Sequence, residues 1–330
     1  MILENKKFGF FKKIHPWQTR PIIKSYIVNN NIPVWTLVMP VFNQRERIKN
    51  VLQKIALNAY HFYDVIMIDD GSDDESLKAI ESFFIEAKGF TKISKLTIIY
   101  NEFSIFETAC DNQGFRLAST EYIIEIQADI HINEMYFDKK MIDSLIRYNL
   151  AAVSGRFVHA FSLLDHPIRC WLKYPMWMFN LKFIKNKSEA CGKIGKKIFD
   201  CLDVPLQDGV YIGETVARGP WLLRKSDLEN LGYLDEDNFF LGHDDHDYHR
   251  RIYQKHAKNV GYVPLNIFSI ESDGSSRKSR TGVNKEIYSY LRNKKNFSDG
   301  YKLFLKNYRP FFEIKKCELL ICSDIHHDSM

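Results

Sequence analysis

Between Val65 and Asp74 the chain reads Val-Ile-Met-Ile-Asp-Asp-Gly-Ser-Asp-Asp. An apolar run stops at paired carboxylates, and a glycine follows. A buried parallel strand ends this way when its carboxyl edge is a binding site. An unpaired buried charge is costly. Asp69 and Asp70 must therefore be hydrogen-bonded, lie at the sheet edge, or serve a ligand.

The flanking sequence repeats the pattern. Val34 to Val41 is rich in branched apolar residues and reads as a strand ended by Pro40. Ile48, Val51, Leu52, Ile55 and Ala59 fall on one helical face. Asp64 to Ile68 is the second strand, and Ser72 to Glu75 reads as a capping box for the next helix. Leu77, Ile80, Phe84 and Ala87 give that helix its stripe. A strand over Leu96–Tyr100, a helix over Thr108–Ser119 and a strand over Glu121–Gln127 complete the series. Such alternation predicts an α/β fold, a mostly parallel sheet flanked by helices. Right-handed crossovers collect Pro40–Asn43, Asp69–Asp70 and Gln127–Asp129 on one edge.

The second half is less regular. Residues 165–210 mix prolines, aromatics (Trp171, Trp177, Phe179, Phe183) and lysines, and read as an insertion or lid. Beyond them come a loop and strand over Gly213–Leu223 and a short helix over Asp227–Leu231 capped by Ser226. An acidic cluster around Asp244–Asp247 leads into a helix ending near His256. Val260–Ile270 reads as the last strand, and helical segments follow around 284–307.

Composition narrows the classes. Hydrophobic residues make up 45% of 330, enough for a sizeable core. The net charge of +5 is weak support for any polyanion, so no nucleic-acid partner is expected. The positive excess is local: residues 1–26 carry Lys6, Lys7, Lys12, Lys13, Arg20 and Lys24 against Glu4. That stretch reads first as solvated surface and second as peripheral membrane contact. The six cysteines form no close pairs, which fits a reducing compartment and a cytoplasmic protein. Neither a signal-type apolar core nor a run of transmembrane length stands out. Oligomeric state is not readable.

Three acidic clusters stand at element ends: Asp69/Asp70, Asp129, and Asp244/Asp245/Asp247. A hard divalent cation uses carboxylate oxygens and substrate phosphates. A separate carboxylate can then deprotonate an acceptor hydroxyl. Five motifs carry a specific resemblance: Val38–Asn43, Ile68–Asp74, Asn112–Gly114 with Glu121–Asp129, Arg218–Pro220, and Phe240–Asp247 with Arg251 beyond. In this order the chain resembles the family-two glycosyltransferases over roughly Val34 to Ile270.

The resemblance implies a GT-A (Rossmann-like) fold, with one large domain over 34–275. Its nucleotide-sugar half is 34–132 and its acceptor half 133–275. Residues 1–33 would be a basic, aromatic extension and 276–330 a helical one. It implies inverting transfer from a nucleotide-diphosphate sugar, first of all a UDP-sugar, to a hydroxyl of a glycan or glycoconjugate. Pro40, Val41, Phe42, Asn43, Asp69, Asp70, Asn112, Gln127 and Ala128 would bind the nucleotide, with Asp70 receiving a hydrogen bond from the base. Arg218, Gly219, Pro220 and Trp221 would line the sugar and acceptor side. Asp129, with His131 as a second candidate, would hold Mn²⁺ or Mg²⁺. Asp245 would be the base, with Asp244 beside it.

Two positions depart from the family pattern. Gln127-Ala128-Asp129 stands where Asp-x-Asp is usual, and Asp111 where an Arg commonly precedes Asn112. The missing cationic contact would come from Arg116, Arg156 or Arg218, and a further metal ligand from Glu271 or Asp273. Several residues have plainer readings. Asp73 and Asp74 would serve a helix dipole. Asp247 would pair with Arg250 or Arg251. His243, His246 and His249 point around a helix and do not suit zinc. Two rival functions stay open: a sugar-nucleotide or glycan-binding module that has lost its chemistry, and a sugar nucleotidyltransferase, which lacks its Gly-rich loop here.

Overall fold

The computed structural model describes residues 21–86, 92–102, 104–156, 158–159, 209–213, 215–239, 244–269 and 318–321. Its elements begin with β1 (Ile22–Ile27), β2 (Trp35–Val41), α1 (Ile48–Asn58), β3 (Tyr63–Asp69), α2 (Ser76–Glu86) and β4 (Ile93–Tyr100). Next are α3 (Glu107–Leu117), β5 (Tyr122–Glu125), β6 (Ile130–Ile132), α4 (Phe137–Arg147), β7 (Ala152–Ser154) and β8 (Val158–His159). The second half holds β9 (Gly209–Gly213), β10 (Thr215–Val216), β11 (Trp221–Arg224), α5 (Lys225–Leu231) and α6 (Asp244–His256). The last described elements are β12 (Val260–Tyr262), β13 (Ile267–Ser269) and β14 (Glu318–Ile321).

Ten of the described strands form one sheet, in the order β1-β4-β3-β2-β5-β11-β7-β12-β9-β14. Strands β4, β3, β2 and β5 run parallel. β1 pairs antiparallel with β4, and β11 antiparallel with both β5 and β7. The expected parallel α/β layer is thus the first half, and the sheet grows antiparallel beyond β5. Strand order reverses at β2, where β3 lies on one side and β5 on the other. Such a reversal opens a crevice at the carboxyl ends of the strands. Pro40–Asn43 and Gln127–Asp129 stand at that crevice.

Burial explains why these strands are buried on both faces. All of β3 is buried, including Asp69. One core layer packs α1, α2 and α4 on the sheet through Ile48, Ile55, Ile80, Phe84 and Met141. The other packs α3, α5 and α6 through Phe115, Leu228, Tyr248 and Ile252. Trp35 anchors the first layer. It stacks on Tyr63 at 4.4 Å and donates its indole N–H to Asp138 at 2.9 Å.

Several expectations are corrected. Residues 22–27 are an edge strand and not part of an extension outside the domain. The helix after Gly71 starts at Ser76, not at Ser72. Ser72 is already used: its Oγ accepts the Asn43 N–H, while Asp74 accepts the Ser76 N–H at 3.0 Å. Asp73 and Asp74 therefore precede the helix. Ser226 does not cap α5; its Oγ donates to Glu121 at 2.5 Å. The expected last strand is two strands, β12 and β13, and the latter pairs with β6. Residues 318–321 add a strand where a helical extension is expected. Asp247 pairs with Arg251 at 2.8 Å, as the spacing suggests.

The aromatic and basic stretch of 165–208, Phe240–His243, Glu271, Asp273, residues 284–307 and all cysteines but Cys110 lie outside the described residues.

Candidate active site

The loops after β2 and β3 are stitched side by side. The Asp70 N–H donates to the Val41 carbonyl at 2.8 Å, and the Asp73 N–H to Asn43 Oδ1 at 3.0 Å. Asn43 holds this turn at φ 50°, in the left-handed region that Asn tolerates. Phe42 stays half-buried at the crevice mouth, whereas the Val41 side chain is in the core. Asp69 receives the Ser72 N–H at 3.3 Å. Burial pushes its carboxyl up to about 6, against the lowering effect of the Ser72 hydrogen bonds.

Asp70 is placed differently from its expected role. Its Oδ1 accepts the N–H groups of Ile105 (2.6 Å) and Phe106 (3.1 Å) and faces Cys110 Sγ; its Oδ2 accepts the Ser104 hydroxyl. With these donors Asp70 ties down the loop leading into α3, and Asp69 stands beside it at the end of β3. Asn112 is likewise consumed. Its amide donates to the Leu234 carbonyl (2.9 Å) and to Glu236 (2.7 Å), and its oxygen accepts the Leu234 N–H. Arg116 faces Tyr233 and Glu236 on the same loop.

On the other side of β2, Gln127 donates to Glu107 in the first turn of α3. Gly219 approaches Gln127 closely at φ 84°. A Cβ there would meet Ile130 Cδ1 at 2.3 Å and Gln127 Oε1 at 3.2 Å, so only glycine fits. Asp129 is recessed in the cleft with part of its surface open, and its Oδ2 accepts the Ser269 hydroxyl at 3.3 Å. Burial and the nearby Glu107 push its carboxyl upward. His131 faces away. Along β6 and β13, Ile130 pairs with Ser269 and His131 with Phe268, so the two pairs lie on opposite faces. His131 stacks flat on Phe268 at 4.7 Å.

Arg218 is the hub of the buried charges. Its guanidinium pairs with Asp111 (2.5 Å), Glu107 (3.4 Å) and Asp244. Burial opposes its charge, but Asp111, Glu107, Glu125 and Asp245 hold it protonated. The unusual Asp111 is thereby explained: it is the partner of Arg218. Asp244 is fully buried and also accepts the Thr108 hydroxyl at 2.9 Å, so it braces Arg218 and α3 and does not face an acceptor. Trp221 is fully buried too, packed edge-on to Phe115, Tyr248 and His249.

Asp245 sits at the start of α6. Its Oδ1 accepts the His246 N–H at 2.8 Å, and Oδ2 faces the Arg218 N–H at 3.4 Å. Burial would raise its carboxyl. The neighbouring His246, Arg218 and the His246 backbone N–H oppose that and hold it below the usual carboxylate range. Arg156, which donates to the Arg218 carbonyl at 3.5 Å, lies within electrostatic reach of Asp129, Asp245, Glu107 and Glu125. The base candidate and the metal candidate thus share one arginine.

Glu107, Glu125, Thr215 and His249 stand at the site without having been assigned to it from sequence, whereas Arg156 was one of three arginines expected to supply the cationic contact. Glu125 had a legible signal, an acid inside an otherwise apolar strand. The others are brought in by long-range pairing that spacing does not show.

The donor set can be tested against a divalent cation. Among the described residues the arginines facing Glu107, Asp111, Glu125, Asp129, Asp244 and Asp245 are Arg156 and Arg218, so this part of the cleft carries more acids than arginines. Among the described residues no three acid, His or Cys side chains converge. Asp129 alone would hold the ion, with diphosphate oxygens and water completing it, an arrangement usual for Mg²⁺.

The profile of Glycosyl transferase family 2 matches residues 36–201, half of the chain. The chain belongs to glycosyl transferase family 2. Within it, the poly-β-1,6-N-acetyl-D-glucosamine synthase of Staphylococcus epidermidis is 23% identical over 234 residues, 70% of this chain and 48% of that protein. An uncharacterized glycosyltransferase of Haemophilus influenzae is 22% identical over 127 residues, 38% of this chain and 48% of that protein. The chain spans about half the length of the curated relatives it matches. Among solved structures, S. aureus TarS aligns over 84% of this chain and 44% of its own, with 11% identity and a TM-score of 0.47. None of its described helices is long and apolar enough to cross a membrane.

Proposed function

We propose that this protein transfers a sugar with inversion from a nucleoside-diphosphate sugar, a UDP-sugar first of all, to a hydroxyl of a glycan or glycoconjugate. One observation carries the reading. Asp245 stands at the start of α6 beside the Arg218 N–H, and Arg156, which donates to the Arg218 carbonyl, lies within electrostatic reach of both Asp245 and Asp129.

A base that is already a carboxylate can take the acceptor's proton as its oxygen attacks the anomeric carbon. The bond from that carbon to the diphosphate breaks, and its electron pair leaves with the diphosphate. A single displacement inverts the anomeric centre. Phe42 and the 40–43 turn would hold the nucleobase, with Asp69 accepting its hydrogen bond. Arg156 would face the diphosphate. Asp129 would hold Mn²⁺ or Mg²⁺, which when bound neutralises charge on the leaving diphosphate. Gly219 would leave room for the sugar.

Thermal stability with a panel of nucleoside diphosphates and nucleotide sugars, with and without Mn²⁺, tests the donor class. UDP-N-acetylglucosamine comes first, because the S. epidermidis relative is a poly-N-acetylglucosamine synthase. At a hundredfold excess over Kd a specific ligand adds about 2.7 kcal/mol to the folded state. Stabilisation by one nucleotide series, larger with Mn²⁺, is the expected result. No shift with any nucleotide would sink the reading.

A further inference from the structure

α6 carries two histidines whose chemistry the transfer step does not use. Trp221 Nε1 lies 3.1 Å from His249 Nε2. Thr215 Oγ1 lies 3.1 Å from His249 Nδ1 and 2.6 Å from His246 Nδ1. His246 Nε2 lies 3.8 Å from Asp245 Oδ1. Trp221, Thr215 and His249 are fully buried.

An indole nitrogen only donates. His249 Nε2 must therefore offer a lone pair, and its proton sits on Nδ1. That N–H donates to Thr215 Oγ1, and the Val216 N–H reaches the same nitrogen only at 3.5 Å. This leaves the threonine hydroxyl to donate to His246 Nδ1. His246 then carries its proton on Nε2, the nitrogen that faces Asp245. One donor-only atom at the far end fixes the direction of every bond in the row.

We infer that Trp221, His249, Thr215 and His246 form a one-way hydrogen-bond chain that turns the His246 ring so that its Nε2–H dipole faces the Asp245 carboxylate at 3.8 Å, an electrostatic contact longer than a hydrogen bond. The inference rests on the reading of Asp245 as the base. Because every donor points toward Asp245 and the chain ends at a buried indole, the chain does not carry the abstracted proton away. Its members are positioning residues: they orient the His246 ring and favour the charged form of the carboxylate. The other charges facing Asp245 are Arg218 before β11, Arg156 after β7 and Glu125 on β5. The arginines stay charged throughout the working pH range. Interrupting the chain therefore leaves them in place and removes only the histidine side.

The test begins with nitrogen-15 histidine labelling and long-range proton–nitrogen NMR correlations at neutral pH. Opposite neutral tautomers are expected, Nδ1–H for His249 and Nε2–H for His246. Thr215→Val keeps the buried shape and breaks the chain. With UDP-N-acetylglucosamine as donor and UDP release as readout, its kcat is expected to fall about tenfold with KM unchanged. The acid limb of its kcat profile should move up in pH, since a carboxylate that loses a facing N–H dipole is easier to protonate. Thr215→Ser should restore both. The same tautomer at both histidines, or a wild-type kcat and acid limb in Thr215→Val, overturns the chain. Asp245→Asn run alongside separates the failures: full turnover there removes the base reading, whatever the tautomers show.

Discussion

Glu125 is a fully buried acid inside the sheet. Among the described residues neither of its oxygens meets a hydrogen-bond donor. Burial pushes its carboxyl up to about 8, more than Arg218 pulls it down. The folded-state value lies above the unfolded one. The native state is therefore favoured at low pH, and that advantage is lost as pH rises from the ordinary glutamate range through about 8. Glu125→Gln should remove this dependence. In melts at pH 6 and pH 9 the variant is expected to gain on the parent protein at the higher pH. An equal difference at both values would show that Glu125 does not titrate in this range. At this scale the sequence reading singled out Asp245 and Asp129 because each stands in a short motif. It did not foresee the partners that occupy Asp70, Asn112, Asp244 and Trp221, because those partners are far away in sequence. Arg218 and Asp111, 107 residues apart, pair in a way that no local pattern discloses.

At the scale of elements, the parallel half was legible and the rest was not. Strands β2 to β5 are buried on both faces and read as apolar runs, and the helices between them carry clear stripes. Strands β6 to β13 are mostly two to four residues long and draw their stability from neighbours, so periodicity has nothing to act on. The start of α2 was misread because a capping-box sequence is diverted to stitch two loops together. The packing of α3 on β2 also hangs on one residue. A Cβ at Gly114 would fall 2.4 Å from Val38 Cγ1 and 3.1 Å from Ile68 Cδ1. Gly114→Ala should therefore cost about 1–3 kcal/mol through overpacking, despite alanine's better helix propensity. Urea denaturation checks this, and a variant as stable as the parent would mean that α3 does not seat this closely.

At the scale of the whole molecule, the two halves of the sheet meet at one charged cleft. The first half supplies the 40–43 turn, Asp69, Glu107, Glu125 and Asp129. The second supplies Arg218 and Asp245, with Arg156 after β7 between them. The paired acids that mark the sequence divide their work: Asp70 holds a loop, and Asp69 stays at the edge of the cleft. The chemistry is assigned to an acid nearly two hundred residues away. Asp245→Asn tests that assignment most directly, with transfer or donor turnover and donor binding measured on the same preparation. Loss of activity by a factor of about 10³ or more, with donor binding nearly unchanged, is the expected outcome for a lost base. An Asp245→Asn protein that transfers sugar at the parent rate would contradict it.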